Sequence, residues 1–480
     1  MKTASTGLSS HGWVKRGGGF QRHVHVPAEW RGTSVQVCGL WPFSAGSGTP
    51  MIGVPLGRHL MTGATVCCDP ISWFQRASLI TNPSMFVLGK PGLGKSSLVR
   101  HMVLGLAGFG VNSMILGDLK PDYVDLVEAL GGQVIRIGRG RGTLNPLDTG
   151  AARDAARVLS GQARTRVMAD AHGRRLSMLS GLIQIIRGTP ISDREGTILD
   201  RCLRAWDGAS DEIPTLADIL AVLHQAPDEV RRAALDRGET TRYLEVTEPI
   251  EASLVALLGG RFGEVFAGQT TTPMMLDRSV VFDVSSIESS DLDLQAAVLM
   301  ACWSYGFGSV NVANDLADAG QGPTRRYFIV MDELWRALRA VSGMVNHVDS
   351  LTRLNRQVGV GQAMLTHTMS DLEALAFEED RAKARGFVER AGLVACGGLP
   401  QAEMSLLTRA VPLSEAEQAM LVGWATPPAW DSTRGEEAPP PGLGKFLLKV
   451  GGRPGIPLQV MLTESERRLN DTNKRWHRVA

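Results

Sequence analysis

Residues 89–97 read Gly-Lys-Pro-Gly-Leu-Gly-Lys-Ser-Ser, the spacing G-x-x-x-x-G-K-[ST] with Gly89, Gly94, Lys95 and Ser96 in register. Glycines so placed let successive backbone N–H groups curl around phosphate oxygens, and the positive end of a following helix favours an anion. In this pattern the lysine reaches the β- and γ-phosphates and the hydroxyl joins Mg²⁺. The candidate nucleotide-binding residues are therefore Gly89, Lys90, Pro91, Gly92, Leu93, Gly94, Lys95, Ser96 and Ser97. ATP and Mg²⁺ are the expected ligands. The flanks agree with this reading rather than with a chance match. An apolar run, Ser84–Leu88, precedes the loop, and Leu98, Val99, Met102, Val103 and Leu106 follow it at helical spacing.

Such a loop needs an acid at the end of a neighbouring strand to hold Mg²⁺, and usually a second to polarise the attacking water. Asp118, Asp283 and Asp332 each close an apolar run. Only Asp332 has four apolar residues before it and an acid after it, in Phe-Ile-Val-Met-Asp332-Glu333. Asp332, with Ser96, is the candidate metal ligand, and Glu333 is the candidate base. A carboxylate stabilising a helix N-terminus is the other reading of Glu333. Asp283 precedes Val-Ser-Ser and reads as a strand terminus, while Asp118 either lines the nucleotide crevice or caps the next helix.

The strand Gly359–Thr366 ends at His367, which is either a contact for the γ-phosphate or a satisfied histidine at a strand tip. Arg353 and Arg356 lie just upstream. In ring-shaped NTPases an arginine offered to the neighbouring subunit's γ-phosphate stabilises transition-state charge, and Arg356 is the candidate here. The competing reading is a solvent-facing helix end.

The elements that must carry these groups alternate as in a doubly wound parallel sheet. Strand 84–88, the loop and its helix, strand Asn112–Leu116, helix Tyr123–Leu130 and strand Gln133–Ile137 form a βαβαβ start. From 149 to 275 Ala, Arg, Leu and Asp recur at helical spacing, which predicts an all-α insertion. Strands return at Ser279–Val284, Tyr327–Met331, Gly359–Leu365, Gly392–Ala395, 445–450 and 457–462, with a helix over 291–307, a loop over 308–325 and a charged helix over 463–478. Residues 1–80, rich in Gly, Ser, Thr, Trp and Pro, predict a small β-rich module. The expected domains are thus 1–80, a RecA-like α/β core of 81–148 and 276–480, and the insertion 149–275.

Composition bounds the partners. A net charge of +1 on 480 residues gives no whole-chain field toward nucleic acid, although basic clusters occur at Arg16–Arg22, Arg136–Arg141 and Arg467–Arg478. Six cysteines show no C-x-x-C spacing, which argues against a zinc or disulfide framework and for free thiols in a reducing compartment. The polar N-terminus lacks a signal-peptide pattern, and the longest apolar stretches, 102–117 and 294–310, contain glycines and sit where the core needs buried elements. The expectation is a cytoplasmic protein with no transmembrane segment of its own.

With these residues placed, the chain resembles the HerA–FtsK superfamily of P-loop motors, and within it the ATPases of conjugative and type IV secretion machines. The resemblance spans about residues 50–470. It rests on the P-loop, on Gly-Asp118-Leu-Lys120-Pro-Asp122-Tyr, which resembles that family's Asp-x-Lys-x-Glu-Tyr segment, and on Thr143-Leu-Asn145-Pro146-Leu. Gly260-Arg-Phe-Gly-Glu-Val-Phe266, Asp332-Glu333-Leu-Trp and Arg356-Gln-Val-Gly complete it in order. Two features depart from the pattern: His367 stands where the family usually has Gln, and the region before the P-loop is only about 80 residues. The resemblance implies an ATPase that forms a homo-oligomer, a hexameric ring, and moves DNA or secreted protein. It implies recruitment by partner proteins to a membrane complex, peripheral at the inner face of the cell membrane. A DNA translocase or helicase-like pump, and a slow nucleotide-gated switch, are the alternatives.

Overall fold

The computed structural model describes residues 51–340, 345–346, 348–349, 359–431 and 436–469. Its strands are β1 (Pro55–His59), β2 (Thr65–Cys67), β3 (Ser84–Leu88), β4 (Val111–Asp118), β5 (Gln133–Arg136), β6 (Val280–Asp283), β7 (Arg326–Met331), β8 (Val360–Leu365), β9 (Leu393–Cys396), β10 (Trp430–Asp431), β11 (Glu436–Glu437), β12 (Lys445–Lys449) and β13 (Ile456–Val460). All but the small β10–β11 hairpin join an 11-stranded sheet in the order β2-β1-β13-β12-β9-β3-β8-β7-β4-β6-β5. From β9 to β5 neighbouring strands run parallel, whereas β12, β13, β1 and β2 add antiparallel.

The parallel strands are buried on both faces, so they read as continuous apolar runs such as Ser-Met-Phe-Val-Leu in β3. Alternate side chains feed two cores. Phe86 and Leu88 join the core that includes the insertion helices, and Met85 and Val87 join the one beneath the P-loop helix. This is the mixed α/β architecture of a RecA-like P-loop fold, as the element order predicts. The predicted strand limits are met within one or two residues. Between β5 and β6 the described elements are helices, from Ala152–Val158 to Gly260–Phe266. Two of them, Asp193–Ala209 and Leu216–Gln225, open with capping boxes built by Ser192 with Glu195 and by Thr215 with Asp218.

Two local expectations are corrected. The helix expected to stop at 307 runs from Leu292 to Asp318, so 308–318 is not loop. Gly308 lies against Arg174 and the Thr149 carbonyl, Ser309, Val310 and Val312 are buried, and Asp315 pairs with Arg166. Burial against the helix Gly161–Arg187 outweighs the weak helix propensity of Gly and Asn. This is the one described helix long and apolar enough to cross a membrane, and 89% of its apolar window is buried inside the protein. Secondly, β1 and β2, expected in an N-terminal module, pair with β13 and extend the core sheet; residues 1–50 of that module lie outside the described residues.

The helix Lys95–Gly108 buries Leu98, Val99, Met102, Val103 and Leu106, each worth about 1.5–3 kcal/mol. A second face is tied to both ends of the described chain. Arg100 Nη2 donates to the Leu469 carbonyl at 2.9 Å, and His101 Nε2 donates to the Pro55 carbonyl at 2.9 Å while Nδ1 meets the Glu466 carboxylate. Burial opposes a charged imidazole here, but the hydrogen bonds to Glu466 and Pro55 prevail and hold the His101 pKa above its ordinary value. The stability that His101 contributes is therefore full below its unfolded pKa of about 6.5 and is lost as pH rises through the raised folded value. His101→Ala should lower the melting temperature more at about pH 5.5 than at about pH 8.5, read by thermal melts at both. An equal or larger loss at the higher pH would refute this account.

Candidate active site

β3 ends at Leu88 and the chain turns through Gly89 (φ +155°), Gly92 (φ +79°) and Gly94 (φ +94°) into the helix at Lys95. The latter two occupy the left-handed region, where a side chain would be strained. Gly94 caps the helix without a side-chain hydrogen bond, which leaves first-turn N–H groups available to an anion. Neighbouring segments brace the loop. Gly89 N–H donates to the His367 carbonyl at 2.9 Å, Lys90 N–H to that of Gly398 at 3.0 Å, and Gly444 N–H to that of Leu93 at 3.0 Å.

Lys95 is buried, and its ammonium donates to the carbonyls of Gly89 at 2.6 Å and Lys90 at 3.3 Å and to His367 Nδ1 at 2.9 Å. Burial pulls its pKa down to about 8, against the opposing pull of Asp332 and Glu333.

β8 lies between β3 and β7, and the three run parallel with Val87 opposite Leu365 and Met331 opposite Met364. Their carboxyl ends therefore share one edge, which brings His367, Asp332 and Glu333 to the P-loop. Asp332 Oδ2 accepts from the Tyr123 hydroxyl at 3.1 Å and from Ser96 Oγ at 3.4 Å, and its Oδ1 accepts the Glu333 N–H at 2.8 Å. Burial, with the charge of Glu333 adding to it, pushes the Asp332 carboxyl up to about 6.

Glu333 has φ +51°, a left-handed conformation rare for a residue with a side chain, and it is buried. Its Oε1 takes Lys120 Nζ at 2.5 Å, and its Oε2 takes Trp335 Nε1–H at 2.5 Å and faces His367 Nε2 at 3.3 Å. Burial alone would raise its pKa, but the hydrogen bonds from His367 and Lys120 hold it well below the usual carboxylate range. Two adjacent acids are thus driven in opposite directions, a pattern that separates their chemical roles.

The donor set fits the expected ligands. Glycines at positive φ before an open helix N-terminus suit a phosphate, and the converging Ser96 hydroxyl and Asp332 carboxylate are hard oxygens of the kind Mg²⁺ takes. The candidates Lys95, Ser96, Asp332, Glu333 and His367 are brought together. Arg353 and Arg356 lie outside the described residues. Asp118 accepts the N–H groups of Asp122 at 3.0 Å and Tyr123 at 2.8 Å, which ties down the turn before the helix Val124–Ala129 without capping that helix, and burial raises its carboxyl to about 7. Asp283 accepts Ser285 N–H and pairs with Arg141 at 3.1 Å, as a strand-end residue.

Sequence reasoning left Lys120, Tyr123 and Trp335 without a role at the acids. The signal was present in Asp118-Leu-Lys120-Pro-Asp122-Tyr123 and Asp332-Glu333-Leu-Trp335, but nothing local in those segments says that they meet.

No protein-family model matches the chain, and no curated protein matches it. Solved structures do. VirB4 of Thermoanaerobacter pseudethanolicus superposes with a TM-score of 0.65 at 18% identity, over 88% of this chain and 99% of that one. The plasmid coupling protein TrwB in complex with the non-hydrolysable ATP analogue ADPNP gives 0.49 at 12% identity, over 81% and 87%. TrwB with ADP and Mg²⁺ gives 0.48 at 13%, over 80% and 85%. The likeness to VirB4 covers most of this chain and shows that the two share a fold.

Proposed function

We propose that this chain is an ATP-hydrolysing motor of the conjugative or type IV secretion type, coupling ATP turnover to the transfer of DNA or protein. The observation that carries this reading is the meeting of Lys95, Ser96, Asp332 and Glu333 at the carboxyl edge of β3, β8 and β7, in a fold shared with VirB4. The glycine loop and helix N-terminus bind the triphosphate, and Lys95 brings positive charge to its β/γ side. Ser96 and Asp332 would hold Mg²⁺, which when bound would supply positive charge beside the phosphoryl group. Glu333, kept ionised by Lys120 and His367, accepts the proton of the attacking water.

The working form in this reading is a homo-oligomeric ring, hexameric, cytoplasmic and recruited to a membrane complex by partner proteins. Arg356 is offered across the subunit boundary to the γ-phosphate. DNA pumping of the HerA–FtsK kind is the second reading. It shares the same fold and the same site, and DNA-stimulated, steeply salt-dependent turnover would favour it.

Lys95→Ala should abolish ATP hydrolysis, and Glu333→Gln should keep nucleotide binding while turnover falls by about 10²-fold or more. Full activity in both variants sinks the assignment. ATPase rate per subunit, followed against protein concentration with and without DNA, should rise as subunits assemble; a rate independent of concentration favours a monomeric switch. Mixing Arg356→Ala with Glu333→Gln subunits should restore part of the activity if the site is shared. No recovery at any ratio removes the trans role.

A further inference from the structure

The His367 ring lies between two charged groups of opposite sign. Nδ1 is 2.9 Å from Lys95 Nζ and Nε2 is 3.3 Å from Glu333 Oε2. A lysine ammonium offers only donors and a carboxylate only acceptors. The ring between them must accept at Nδ1 and donate at Nε2, and only the neutral imidazole with its proton on Nε2 does both. An imidazolium would set an N–H against the ammonium. The partners thus fix both the charge and the tautomer of His367.

The chain of hydrogen bonds is longer than this pair. Lys95 also donates to the Gly89 and Lys90 carbonyls, and Gly89 N–H donates back to the His367 carbonyl at 2.9 Å. The P-loop and the tip of β8 are therefore joined through both main chain and side chain. Trp335, which donates to Glu333, also flanks the imidazole, with ring centroids 6.0 Å apart. With Lys120 on Oε1 and Trp335 and His367 on Oε2, both oxygens of Glu333 are engaged, and a carboxylate so engaged is a poor acceptor for a water proton.

We propose that His367 is a positioning residue that couples the state of Lys95 to the availability of Glu333. While Lys95 rests on the loop carbonyls, it fixes the ring, and the ring's Nε2–H holds Glu333 beside Lys120 and Trp335. A phosphate that draws the ammonium away removes the donor at Nδ1, so the ring is free to turn and one lone pair of Oε2 opens to water. The base is thereby armed only when the loop is filled. This inference rests on the nucleotide-site reading above.

The test follows from the donor and acceptor count. Glutamine carries one acceptor and one donor at similar reach, so it can span Lys95 and Glu333; leucine carries neither. ATPase kinetics and equilibrium titration with a fluorescent ATP analogue, on the full chain, separate turnover from binding. Nucleotide affinity should stay within about threefold in both variants, while kcat stays within about twofold in His367→Gln and rises by more than about threefold in His367→Leu, where no ring holds Oε2 of Glu333. If His367→Leu loses its folded circular-dichroism spectrum, His367→Asn, which has the same groups on a shorter arm, replaces it with the same expected rise. Equal rates in the glutamine variant and its comparator, or a loss in the comparator, overturn the coupling while wild-type hydrolysis leaves the ATPase reading intact. A wild-type chain that binds no nucleotide overturns both.

Discussion

The parallel ladder β3-β8-β7 is the constraint on which the rest depends. Strands buried on both faces carry few polar side chains along their length, because each needs a buried partner, so polarity gathers at their ends. Parallel pairing then puts three carboxyl ends on one edge. Gly89, His367 and Asp332 follow immediately or almost immediately after β3, β8 and β7, and the ladder alone makes neighbours of them.

Within that edge the electrostatics are uneven by construction. Asp332 lies deep, next to a hydroxyl from Ser96 and one from Tyr123, and is pressed toward its neutral form. A cation bound there would reverse that pressure. Glu333 sits one residue on, turned by its positive φ toward the cationic and N–H groups of Lys120, His367 and Trp335. A single twisted residue therefore sends two consecutive acids into opposite surroundings.

The sequence was legible where a feature is local. Gly89–Ser97 announces its own loop, the four apolar residues before Asp332-Glu333 announce a buried strand that ends at the site, and strand limits followed from short apolar runs between turns. What escaped is non-local. Lys120 and Glu333 stand 213 residues apart in the chain, and no period or motif spacing encodes their meeting. The extension of Leu292–Asp318 through Gly308 depends on a partner helix, and the entry of β1 and β2 into the sheet depends on a hairpin near the other end of the chain. Propensity is a weak prior where tertiary burial decides.

The position of β3 has a consequence for synthesis. Its two partners are β8 and β9, at residues 360–365 and 393–396, so neither edge of β3 is paired until nearly all of the core has been made. Translation at about 5–20 residues per second leaves this apolar strand waiting for many seconds on the ribosome. During that interval the strand that will carry the phosphate loop is an open template for wrong pairing, with both faces and both edges exposed. The nucleotide site is thus among the last parts of the core to be completed.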